Sequence, residues 1–450
     1  MFDGYVLTDV KNNPESGVVA SVASHVYNSI IVDVRDKEYF EKAGYKMKYD
    51  ATRKTTVDAW REFRNKCSKR ALVIMPVQTG ELREFAIKNN LFVLNLNKEQ
   101  GDAGAGQNIS LLEEVLAWLE PNAPVYGWEQ GVSEDQFVAR VSKSGHPMIP
   151  CDWSYNHSLL SLLYEKGREQ VLPRIFDPRS IDFKKKKNFV SFFLSDGDNI
   201  QWMMQDFASR YYDVPEAEDV KMTFGLPVAT LAMMAPVQFN NLMGLQKQNC
   251  SLMEMLGGGY YYVDTYSQDH NRKTNLRVAA KRLAVSMRQY QIKLLGIMAM
   301  DVKSEAAKEA YQVYVDANDQ LEGIVVLQYS PYAGGEGEVF WVTNKAGYDI
   351  PVITVKYSLW DRIHEREGSP DFIASKLKEE AQEESFSVVC VHAWSRFEGD
   401  TYGASAAKRC AERLDDRFEA INMQELVWRL RMSRRPVSYT HLRAHETSAH

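Results

Sequence analysis

Cysteine is sparse and unpaired in this 450-residue chain: Cys67, Cys151, Cys250, Cys390 and Cys410 stand apart, with no CxxC among them. An odd number without metal-type spacing indicates neither a disulfide framework nor a structural zinc site. HExxH, GxxxxGK[ST], GxSxG and an intact GxGxxG are also missing, so no cofactor and no resident metal are expected. No run approaches the roughly 20 apolar residues needed to span a bilayer. Basic charge is not in excess, with 54 Lys plus Arg against 60 Asp plus Glu and a formal net charge of -6. That balance lacks the electrostatic footprint of a nucleic-acid binder.

What is present is globular. Hydrophobic residues are 45% and charged residues 25%, and the length suits two domains, or a barrel with a companion. The 23 tyrosines and 9 tryptophans fit sugar stacking as well as core packing. Residues 1–180 alternate short apolar strands with helical segments, the pattern of small open-sheet α/β units. Strands are predicted at Tyr5–Thr8, Ser29–Val34, Ala71–Pro76, Leu91–Leu96, Pro124–Trp128 and Pro147–Pro150, with an internal break near 53–56. Pro173–Asp182 and the four lysines Lys184–Lys187 read as a linker.

Residues 186–432 then offer eight strand-then-helix steps. The strands are Phe189–Leu194, Lys221–Leu226, Tyr260–Val263, Lys293–Ala299, Gly323–Gln328, Val352–Lys356, Phe386–Val391 and Phe418–Ile421. Eight alternations over about 250 residues predict a (β/α)8-type barrel. A glycine-rich hairpin, Gly334–Glu338 followed by Val339–Thr343, interrupts the fifth connection. Residues 436–450 resemble translated sequencing-adapter DNA of the kind appended to metagenomic reads. They are excluded from fold reasoning, and their three histidines are not taken as a metal site.

In such a barrel function belongs at the carboxyl ends of the strands. Those ends carry Asp196 and Asp198, Asp264, Asp301, Tyr329, His392 and Trp394. Paired carboxylates suit glycoside hydrolysis, one acid protonating the leaving oxygen and the other attacking or activating water. Asp198 and Asp264 are the expected catalytic pair, with Asp196 orienting them. His392 would hydrogen-bond the substrate, and Trp394, Tyr262, Tyr260 and Tyr329 would contact it. Two alternatives stay open: a metal-dependent sugar deacetylase using Asp196, Asp198 and His392, and a non-catalytic glycan-binding protein. Capping competes for every one of these aspartates, because Asp after a strand often caps the next helix.

Several stretches together resemble the GxGYxYP family, described as glycoside hydrolases without an established substrate. Gly257-Gly258-Gly259-Tyr260-Tyr261-Tyr262 fits the name motif through its sixth position, with Val263 where the family has proline. FVSFFLSDGDNIQW from Phe189, FGLPVATLAMMAP from Phe224, GGEGEVFWV and VHAWS from Val391 complete the likeness. The resemblance implies a catalytic-type C-terminal barrel behind accessory α/β domains, and a carbohydrate substrate in polysaccharide-processing bacteria. It also implies export, with a signal peptide upstream of Gly4 and truncation at both ends. The sequence leaves the glycan, the stereochemistry and the oligomeric state open.

Overall fold

A computed structural model of the chain describes residues 2–77, 80–96, 108–128, 131–151, 153–164, 170–197, 199–256, 258–268, 270–330, 332–361 and 368–434. Asp198, Gly257 and the segment 436–450 lie outside the described residues.

Three sheets follow one another along the chain. The first is parallel and small, built from β1 (Gly4–Thr8), β2 (Ser29–Asp33) and β3 (Met47–Asp50) in the order β2-β1-β3. The second holds β4 (Ser68–Ile74), β5 (Leu91–Leu94), β6 (Val125–Gly127) and β7 (Met148–Ile149), ordered β5-β4-β6-β7 and again parallel. Between them Thr55 starts the helix Thr56–Phe63 with a capping box to Asp58. Reciprocal bonds of this kind satisfy two amides that the first helical turn leaves free.

The third sheet contains β8 (Asn188–Leu194), β9 (Thr223–Leu226), β10 (Ser251–Met255), β11 (Leu294–Ala299), β12 (Gly323–Gln328), β13 (Val339–Thr343), β14 (Asp349–Thr354), β15 (Tyr357–Leu359), β16 (Ser385–Val391) and β17 (Phe418–Ala420). The order is β13-β14-β12-β11-β10-β9-β8-β16-β15, with β17 on β8. All pairings are parallel except the hairpin β13–β14. Every residue of β8 is buried, as expected where helices cover both faces of a parallel sheet. The sheet curls, because β14 lies against β12 while β15, two residues on, lies against β16. Consecutive amides at Val355 and Lys356 donate to Val326 O at 3.3 Å and Val388 O at 2.9 Å.

The architecture is therefore mixed α/β, with open parallel sheets and one curled sheet. The pairings do not establish a full eight-stranded barrel. The expected third strand, Tyr260–Val263, is not a strand: the chain reaches the sheet earlier, as β10 at Ser251–Met255. After β10, Leu256 and Gly258 adopt positive φ (56° and 83°) and turn the backbone away. Tyr260 and Tyr262 make only isolated bridges, to Met148 and Met298. The expected eighth strand, β17, pairs only with the first three residues of β8, Asn188–Val190.

Those bridges join the second sheet to the third. Met148 and Tyr260 exchange two backbone bonds of 3.0 and 2.7 Å. Ser142 accepts from the Tyr262 amide through its hydroxyl and from the Ser267 amide through its carbonyl. The Tyr266 hydroxyl donates to Asn122 Oδ1 at 2.7 Å and Gly145 O at 2.9 Å. One apolar core runs across this seam, from Val6 to Leu430.

Candidate active site

A cavity of about 580 Å³ opens at the carboxyl ends of the curled sheet. The segments following β8, β10, β12, β15 and β16 line it, together with Trp128, Glu134 and Trp153 from the second α/β unit. Five of its walls are tryptophans, Trp128, Trp153, Trp202, Trp360 and Trp394. Trp394 is 47% and Trp153 62% exposed, so their faces are open to a ligand. Trp202 and Trp394 have ring centroids 4.7 Å apart.

Asp196 lies among these rings, directly after β8. Its φ of 60° is left-handed, a region that Asp tolerates better than most residues. The turn is forced by Gly197: a Cβ there would stand 1.6 Å from Gly225 O, so only glycine lets the chain pass β9 so closely. Backbone strain of this kind tends to collect at functional sites. Asp196 Oδ2 accepts from the Ser195 hydroxyl and from the Ala393 amide at 3.4 Å. Its Oδ1 has no hydrogen-bond partner among the described residues.

His392 follows β16 and stacks flat on Trp360, with centroids 3.9 Å apart and planes 7° apart. Its Nδ1 is 2.9 Å from Ser395 Oγ and its Nε2 is 3.9 Å from Asp196 Oδ2. Burial lowers its pKa more than the neighbouring Asp196 and Asp361 raise it. The imidazole is therefore neutral near pH 7, one ring nitrogen a donor and the other an acceptor, with Nδ1 already engaged by Ser395.

Glu134 is the first residue of the helix Glu134–Lys143, after Ser133. Its side chain is exposed to solvent and lines the cavity. Desolvation by the surrounding protein raises its pKa, the Tyr260 hydrogen bond opposes this, and Asp196 and Asp135 raise it further. Tyr260 donates its hydroxyl to Glu134 Oε1 at 2.8 Å.

The structure places the expected site residues unequally. Asp196, His392, Trp394, Tyr329 and Tyr260 line the cavity. Tyr260 is only 3% exposed, so it presents its hydroxyl to Glu134 rather than a ring face to a sugar. Tyr262 is 0% exposed and packs between Tyr260 and Tyr329; it is core, not cavity wall. Asp264 does not line the cavity, and its two oxygens accept the amides of Met300 and Asp301 at 3.0 and 2.9 Å. That carboxylate fastens the backbone that follows β11. Asp301 in turn accepts the Lys303 amide at 2.9 Å. Asp198 lies outside the described residues. Among the described residues no three His, Cys, Asp or Glu side chains cluster as metal ligands, and no helix is long and apolar enough to cross a membrane.

Sequence reasoning missed Glu134 and four of the tryptophans, Trp128, Trp153, Trp202 and Trp360. A glutamate opening a helix reads as an ordinary favourable first-turn acid, and nothing local ties it to a tyrosine 126 residues away.

These features define a mixed α/β protein with carboxylates, a neutral imidazole and tryptophans around one cavity at the strand ends. Residues 186–431 match the family described as "GxGYxYP putative glycoside hydrolase C-terminal domain", and residues 69–162 match the "GxGYxYP third domain". The chain belongs to the GxGYxYP family. Its fold is similar to the crystal structure of a "putative hydrolase" from Bacteroides thetaiotaomicron, with a TM-score of 0.79 and 17% identity over 96% of this chain and 80% of that one. No curated protein matches the chain.

Proposed function

We propose that the protein hydrolyses a glycosidic bond of an oligo- or polysaccharide in the strand-end cavity. The observation that carries this reading is the Asp196 carboxylate set within a cavity walled by five tryptophans. Aromatic faces match the apolar faces of pyranose rings, and a carboxylate beside them can attack an anomeric carbon or activate water. Asp196 takes that role, held by Ser195 and the Ala393 amide. His392 hydrogen-bonds a sugar hydroxyl, and the exposed Trp394, backed by the buried Trp202, forms the stacking platform. The description of the family supports the same reaction class. In this reading the curled sheet is a barrel-type scaffold, which accounts for a site at the carboxyl ends of the strands.

The test is release of reducing ends and of acetate from host and plant glycans, with Trp394→Ala beside the wild type. Reducing ends are expected from the wild type, and the variant is expected to raise KM by roughly tenfold or less, the scale of one stacking contact. Acetate without reducing ends would point instead to a deacetylase. Binding without turnover on every glycan would point to a lectin-like role.

A further inference from the structure

We infer that Glu134, delivered to the cavity by the second α/β unit, is the proton donor of the reaction. The inference rests on the glycoside hydrolase reading above and adds the group that reading lacks. A carboxylate such as Asp196 cannot also protonate the leaving oxygen, so a second acid must face the same cavity. Glu134 and Asp196 both line it, whereas Asp264 is held on two backbone amides.

Three features make Glu134 a donor. Its helix is anchored by Ser142 to the Tyr262 and Ser267 amides, which fixes the position of the helix relative to the curled sheet. Tyr260, whose own pKa burial pushes up, keeps its proton and donates it to Oε1, leaving Oε2 to carry the acid proton. Among the described residues, Asp196, Asp135, Tyr260, Tyr262 and Tyr329 interact with Glu134, and the same cavity also holds Asp206, His392, Arg210 and Arg396. Desolvation and both aspartates favour its protonated form, while the Tyr260 bond and the helix N-terminus favour the ionised one.

The chemistry balances with water as the only co-reactant. Glu134 gives its proton to the glycosidic oxygen as the C1–O bond breaks, and that bonding pair stays on the departing alcohol. Asp196 either bonds to C1, to be displaced by water that Glu134 then deprotonates, or takes a proton from water attacking C1. The GxGYxYP tyrosines acquire a role in this scheme, with Tyr260 as a positioning residue for the acid.

The experiment compares wild type, Glu134→Gln, Asp198→Asn and Tyr260→Phe on 2,4-dinitrophenyl glycosides and on the corresponding alkyl glycosides. Thermal melts check that each variant is folded. Glu134→Gln is expected to lose roughly 10²–10⁴-fold in kcat/KM on alkyl glycosides, the usual share of a general acid. On dinitrophenolate, which departs unprotonated, the loss should be about tenfold or less. Tyr260→Phe removes the one bond that lowers the Glu134 pKa, so the alkaline limb of its kcat/KM profile should move to higher pH. Equal losses on both leaving groups with Glu134→Gln, or the leaving-group pattern appearing in Asp198→Asn instead, would overturn the assignment and leave the hydrolase reading standing. A wild type that cleaves neither substrate class would overturn that reading and the assignment with it.

Discussion

Glu254 is a carboxyl group in the middle of β10 with 0% exposure. Its Oε2 accepts the Ala229 amide at 2.9 Å, and burial raises its pKa to about 8. The native state therefore holds a proton that the unfolded chain has already lost above the ordinary carboxyl range. Stability from this group is complete at low pH and declines as pH rises through that window, by up to about 1.4 kcal/mol per unit. Urea melts between about pH 5 and pH 9 should show the wild type losing stability with a slope that Glu254→Gln largely removes; parallel slopes would contradict this. The same residue explains a misread strand. A glutamate inside Ser251–Met255 breaks the apolar run that marks a buried strand, whereas the neutral acid fits there. Along the cavity wall, Asp196, His392, Tyr329 and Trp394 were legible because each lies within three residues of the end of a buried strand. Asp264 carries the same local signal, and only its two amide contacts reveal a backbone anchor.

Among the elements, the segment that names the family acts mainly as a joint. Gly259 has φ +141°, and a Cβ on it would stand 2.6 Å from the Pro147 ring. The backbone can reach Met148 only because no side chain intervenes. Gly259→Ala is expected to cost roughly 1–3 kcal/mol and to lower kcat beyond what the stability loss explains, because Tyr260 would shift away from Glu134. Thermal melts beside steady-state kinetics would show it; unchanged kcat in the folded variant would refute the coupling. Element existence was widely readable: β12 spans Gly323–Gln328 as expected, and the hairpin strand β13 follows its glycine-rich turn. What escaped notice had weak patterning. β3 buries one residue of four, and so gives almost no alternation. The helix Glu15–Val26 is buried over most of its surface, which blurs its amphipathic period.

At the scale of the whole molecule, the second sheet and the curled sheet share one core and one cavity. The seam from Tyr260 to Ser267 brings Glu134 and Trp128 to a site otherwise built from strand ends of the curled sheet. Such long-range placement leaves no mark on local sequence, which is why the composite character of the site was invisible there while the alternation of strands and helices was plain. The central claim is that this cavity cleaves glycosides through Asp196. It is tested most directly by comparing the wild type with Asp196→Asn on whichever glycan the wild type hydrolyses, following reducing ends. The account predicts a loss of roughly 10²–10⁴-fold in kcat, with the variant still folded and still binding the glycan. Undiminished release by folded Asp196→Asn would contradict it.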